Sequence, residues 1–290
     1  MFSPEHQDAV RAAYASWRTF GVSDVESGRQ ALYGGWYATA RPSANVPSRA
    51  PAEPPLVGQL RLAHAGGRRW VAEAPVVALG LAGTVVVRLP GGGNRALSRG
   101  DFVGARPGLP AREGDLVTVV DRAGGYEVEG WWRTWGGDWD PTAPAPDVTR
   151  FYVGADPGRI LEIVARLTAA LADVPFGWSL KVASQAEFLV RPDPCLLYVK
   201  DEDRAQALSI VSEAAHGRVL DGRVPFAAPV EPGISWAEDP GGDRSFGETR
   251  CAALAEAFLT SPTDPVSAAG EAFRAAGLTP SAPHLRGAPR

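Results

Sequence analysis

From Pro4 to about Phe20 the apolar residues Val10, Ala13, Tyr14 and Trp17 recur at the spacing of one helical face, which predicts an amphipathic helix that must pack on something. Tyr33, Trp36 and Tyr37 then form an aromatic knot, and residues 41 to 55, crowded with Pro, Ala and Ser, read as a loop or linker. From Leu56 to Trp135 the pattern changes to short β-branched or aromatic runs: 57–63, 69–79, 84–89, 115–121 and 126–132. Turns such as Pro90-Gly-Gly-Gly-Asn94 separate them, so this region is expected to be a small antiparallel sheet or partial barrel.

Asp140 to Asp147, with its prolines, is the expected boundary to a second region in which strands and helices alternate. Residues 150–155, 176–183, 188–190 and 195–200 read as strands. Residues 157–172, 202–215, 246–259 and 265–275 read as helices, and the stretch between 215 and 246 as irregular. The expected class is therefore α+β, with a leading helix and β-rich region over 1–140, a mixed α+β domain over 148–278, and a frayed Pro- and Ala-rich tail over 279–290.

Composition narrows the function classes. A chain of 290 residues, 45% apolar, buries a sizeable core. A net charge of −4 argues against a nucleic-acid binder, which would present a basic face to phosphates. No apolar segment is long enough to span a bilayer, no signal peptide opens the chain, and Cys195 and Cys251 read as buried thiols, so a cytoplasmic location is expected. Four scattered histidines give little support to a metal site, and no metal or cofactor is expected.

Of the 29 basic residues only Lys181 and Lys200 are lysines. Arginine supplies generic positive charge, whereas lysine alone offers an amine that can lose its proton, so Lys181 is a candidate for chemistry; the alternative is a solvated strand lysine. Lys200, followed by three acidic residues, reads as a solvated charge. Arg150, Arg191, Arg244 and Arg250 add positive charge capable of holding a dianion. Ser245 followed by Glu248 is a capping box, which starts a helix whose N-terminus, beside Arg244 and Arg250, either favours a phosphate or is simply well capped. Trp131, Trp132 and Trp135 belong to a run with four tryptophans in nine residues; such a cluster closes a core or seam, or forms a groove for an extended peptide.

Four motifs in order, Arg150-Phe-Tyr-Val, Pro175-Phe…Lys181-Val, Val190-Arg-Pro-Asp193…Leu197-Tyr and Ala237-Glu-Asp-Pro…Ser-Phe-Gly-Glu-Thr-Arg-Cys251, resemble the HopA-type effector family. The resemblance covers residues 150 to 260; the effector branch carries a longer Asn-containing strand where this chain has Arg-Phe-Tyr-Val-Gly-Ala. Relatives encoded in clusters for class V lanthipeptides and thioamitides imply a phosphoserine/phosphothreonine lyase. It would act on a ribosomal precursor peptide phosphorylated by a separate small kinase, leaving dehydroalanine or dehydrobutyrine. Such chemistry would use Lys181 as base, Arg150, Arg191, Arg244 and Arg250 for phosphate, and an acid from His216, His64 or Tyr152. The competing readings are a scaffold that binds the kinase and the precursor peptide without turnover, with the tryptophans as a docking surface, and an effector acting on a host partner.

Overall fold

A computed structural model describes residues 1–39, 56–65, 69–89, 93–97, 101–104, 106, 109–121, 126–141, 147–241, 244–261 and 263–287; the expected 41–55 linker lies outside them. Helix α1 (Pro4–Phe20) forms where the apolar stripe predicted it. Ser3 Oγ accepts the His6 amide, Pro4 occupies the first turn, and Gly21 ends the helix in the left-handed region at φ +64°. Helix α2 (Val25–Gly35), capped by Asp24, leads into a single 3₁₀ turn, Tyr37–Thr39. Residues 57–63, expected as a strand, are instead helix α3 (Leu56–Ala63). Leu56 and Leu60 are one helical turn apart and share the buried side, and so short an apolar run does not distinguish the two periods.

The chain then enters a unit of its own, Gly66–Gly125. Its strands are β1 (Arg69–Leu79), β2 (Val85–Arg88), β3 (Asn94–Leu97), β4 (Phe102–Gly104) and β5 (Leu116–Asp121), in the order β3-β2-β1-β5-β4. Every pairing is antiparallel, and the last strand returns to the first. Alternate residues Ala74 and Val76, Val85 and Val87, and Val117 and Val119 make its small core with Leu97.

The remaining chain, Met1–Ala65 with Tyr126–Arg290, is the larger unit. The elements that follow the excursion are β6 (Tyr126–Val128), β7 (Trp131–Gly136), β8 (Val148–Val153), α4 (Ile160–Ala170), β9 (Trp178–Ala183), α5 (Ala186–Leu189), β10 (Cys195–Lys200), α6 (Arg204–Ala215), β11 (Ala228–Glu231), β12 (Ile234–Glu238), α7 (Phe246–Thr260) and α8 (Pro265–Ala275). The strands form one antiparallel sheet, β11-β12-β8-β10-β9-β7-β6. Strand alternation sends Phe151, Leu180, Val182, Leu197 and Val199 to a core under α3, α4 and α6, and Tyr152, Ala183, Leu196 and Ala237 to a core under α1, α2, α7 and α8. Each large side chain buried in these layers contributes about 1.5–3 kcal/mol. The architecture is α+β, as expected.

Several boundaries differ from the sequence reading. The division does not fall at residue 140: β7 pairs with β9 from Trp131↔Ala183 to Gly136↔Trp178, which ties residues before 140 into the same sheet as those after 148. Residues 188–190, expected as a strand, close the short helix α5. The stretch read as irregular contains β11 and β12, whose alternation is obscured by Pro229 and a register shift beside it. The tail is not frayed through residue 287, because Arg286 pairs with Asp147 and with Asp201, the latter at 2.6 Å, and its amide donates to Glu238.

Candidate functional site

The sheet face under α2 and α7 carries two transverse rows of side chains. Cα register sets one row as Arg133, Lys181, Leu196, Tyr152 and Ser235, and the next as Trp135, Ser179, Tyr198, Arg150 and Ala237. Adjacent strands lie about 4.8 Å apart, so Arg133 is one strand from Lys181, and Tyr152 is two strands from it, roughly 10 Å at the backbone.

The Lys181 ammonium sits 4.0 Å from the centre of the Trp131 ring. Burial lowers its pKa to about 8, with Arg133 as the next cause and Asp193 pulling the other way, while Arg150 and Arg191 add to the depression. Arg191 enters from the turn after α5. Its Nε and Nη2 donate to the two oxygens of Asp193 at 2.8 and 3.2 Å, and Nη2 also reaches Tyr33 Oη at 3.2 Å. The Arg191 guanidinium faces the Trp131 ring at 5.3 Å, and Phe188 stacks on that ring at 5.5 Å. Arg150 is paired with Asp239 and lies 5.3 Å from the Tyr198 ring. Burial works against the Arg150 charge, but Tyr198, Tyr152 and Asp239 outweigh it and raise its pKa. Tyr152 is buried on the same face; burial raises its pKa, and among the described residues its hydroxyl has no hydrogen-bond partner.

Of the predicted residues, the structure thus brings together Lys181, Arg150, Arg191, Tyr152 and Trp131. Trp135 also stands on this face, one row along from Lys181, and the others lie elsewhere. Arg244 is solvent-exposed, with Glu26 at 3.9 Å as its salt-bridge partner. Arg250 is wholly buried: Nε and Nη2 donate to the carbonyls of Pro283 and Leu285, Phe246 lies 3.8 Å from its guanidinium, and burial lowers its pKa to about 10. The capping box is present, with Ser245 Oγ accepting the Glu248 amide and Glu248 accepting the Ser245 amide; the carboxylate also pairs with Arg29 at 2.7 Å. The start of α7 is therefore held by its own acid, which favours the well-capped alternative of the sequence reading. His216 is an exposed C-cap of α6, a helix packed on the opposite face of the sheet. His64 also lies across the sheet, 3.2 Å from Thr134 and against Trp132 and Trp178. Trp132 is buried in that same core, so Trp131 and Trp132 do not share a surface. Lys200 is exposed, 3.6 Å from Asp138.

Sequence reasoning missed Arg133. It stands two residues after Trp131 in an alternating strand, which places both on one face, but the assignment of this strand to the preceding β region hid the connection. Its Nε is buried, and among the described residues it has no hydrogen-bond partner. Asp193, Asp239 and Tyr33 were also absent from the predicted set. Among the described residues no group of three or more His, Cys, Asp or Glu side chains is placed to hold a metal ion, and no helix is long and apolar enough to cross a membrane.

A family model described as the HopA1 effector protein family matches residues 135–285. Two solved structures share the fold at 14% sequence identity. The effector protein from Pseudomonas syringae pv. syringae strain 61 has a TM-score of 0.60, with 98% of each chain covered. The effector protein from Pseudomonas syringae pv. tomato strain DC3000 has a TM-score of 0.52, with 97% of this chain and 99% of that one covered. No curated protein matches.

Proposed function

The chain belongs to the HopA1 effector protein family, and from that premise and the site's geometry we propose that it is a phosphoserine/phosphothreonine lyase. Its substrate is a phosphorylated ribosomal precursor peptide of the lanthipeptide or thioamitide type, supplied by a separate kinase. The observation that carries this reading is a lysine amine with its pKa lowered to about 8, held on a sheet face with three arginines and, among the described residues, two carboxylates paired to them.

Elimination needs a base for the weakly acidic Cα proton, positive charge for the phosphate, and a proton for the leaving oxygen. Near neutral pH a useful fraction of Lys181 is unprotonated, and its amine takes the Cα proton. The released electron pair forms the Cα–Cβ double bond as the Cβ–O bond breaks, and phosphate departs with the bonding pair. The arginines stabilise the charge that grows on the leaving group. Tyr152, whose raised pKa keeps its proton at neutral pH, supplies a proton to that group. Trp131 and Phe188 form an apolar wall that restricts water around the lysine.

The test is mass spectrometry of a phosphothreonine-containing precursor peptide incubated with the protein. Loss of phosphoric acid is expected with wild type, and a fall of about 100- to 10,000-fold with Lys181→Ala and with Lys181→Arg. Phosphopeptide that binds but stays intact overturns the lyase reading in favour of a scaffold.

A further inference from the structure

Four guanidinium or ammonium groups share the sheet face, but they are not equivalent. Arg150 and Arg191 each already hold a carboxylate, Asp239 and Asp193, and Arg191 also holds the Tyr33 hydroxyl. Arg133 and Lys181 stand directly opposite each other on β7 and β9, and among the described residues neither has a carboxylate partner. Like charges directly opposed on neighbouring strands repel, and a buried guanidinium N–H without an acceptor is costly. An anion placed between the two would remove both costs at once. Arg150 or Arg191, by contrast, would have to release its carboxylate to seat the phosphate.

We propose that Arg133 is the primary phosphate ligand of this site and seats a phosphate monoester dianion beside the Lys181 amine, whereas Arg150 and Arg191 serve to hold the seat's walls. The proposal rests on the lyase reading for its substrate, but the anion seat itself can be tested without turnover. Arg133 then has two effects. Empty, its charge repels the Lys181 ammonium and frees the amine; filled, its charge is compensated by phosphate, and the amine's hold on a proton strengthens. The base is thereby weakest before substrate arrives and better able to keep the Cα proton once the phosphate is in place.

The chain has only two lysines, so ¹³C labelling of lysine gives two side-chain signals, assigned with Lys200→Arg. The full-length protein is titrated with pH and with inorganic phosphate. In wild type the Lys181 signal is expected to titrate near 8 and to move upward as phosphate binds. In Arg133→Gln it should shift toward the ordinary lysine value of 10.5 without phosphate, and phosphate affinity should fall about 10- to 100-fold, the loss of one charge-assisted hydrogen bond. Arg133→Lys should restore the depressed titration and part of the binding, which a merely structural role would not do. Phosphate affinity unchanged within about twofold in Arg133→Gln, or no wild-type response to millimolar phosphate, overturns the proposal. Elimination at the wild-type rate by Arg133→Gln would also overturn it while leaving the lyase reading intact. Phosphate bound through Arg133 with no elimination would sink the lyase reading and leave the seat standing.

Discussion

Lys181 shows how far a single residue can be read. Lysine scarcity marked it as a candidate, and the structure places it among arginines on a partly covered face, where its amine titrates low. A depressed lysine has a stability consequence of definite sign. Below pH 8 both folded and unfolded chains carry the charge, and the folded state bears the full cost of burying it. Between about 8 and 10.5 the unfolded chain still holds its proton while the folded one has released it, so stability rises with pH; above 10.5 the cost is gone. Lys181→Met is therefore expected to abolish elimination yet stabilise the protein at pH 7 by up to about 3 kcal/mol, an advantage that shrinks between pH 8 and 10.5 in urea titrations. A variant less stable than wild type at pH 7 would refute this. Charge type and sequence neighbourhood do not show where a side chain comes to rest: His216 caps a helix across the sheet, Arg244 is exposed beside Glu26, and Arg250 is buried. Arg250 was expected as a phosphate-site cation or a structural partner, and it is a wholly buried donor to the tail carbonyls.

At the scale of elements, end signals were read at some helices and missed at α2, whose Asp24 cap was not recognised. The capping box placed the start of α7 and Pro265 that of α8, whereas α1 was located from its apolar stripe. α3 and α5 are short, lack such a signal and were read as strands. The capping box of α7 gives a plain expectation: Ser245→Ala should lower stability by about 1 kcal/mol in thermal melts and leave kcat/KM unchanged. Gly247, two residues further, behaves differently. A Cβ there would meet the Tyr37 ring at 2.4 Å, and Tyr37 stacks on Tyr33, whose hydroxyl holds Arg191. Gly247→Ala should therefore cost about 1–3 kcal/mol and also reduce kcat/KM, because the displaced ring leads to the site. A variant that loses stability but keeps full kcat/KM would break this link between α7 and the arginine.

For the whole molecule, the C-terminal segment acts as a strap. Pro283 and Leu285 satisfy Arg250 from outside its helix, and Arg286 ties Asp147, at the start of β8, to Asp201, at the end of β10. Truncation after Leu278 should cost about 3–5 kcal/mol, since it leaves a buried guanidinium uncompensated. Arg250→Met should be far less harmful in the truncated chain than in the full one; equal effects in the two backgrounds would show that the tail does not serve this arginine. The sequence did not show this interleaving, because hydrophobic patterning describes segments and not which distant segments meet.

The helical layer over the site is assembled from both ends of the chain, and the Arg29–Glu248 pair alone spans 219 residues. On a ribosome adding about 5–20 residues per second, α1 and α2 therefore wait tens of seconds with Val10, Trp17 and Leu32 exposed before α7 emerges to cover them. The nascent chain is consequently a client for chaperones that shield apolar helices, and fast, uncoupled expression should favour aggregation of its amino-terminal portion.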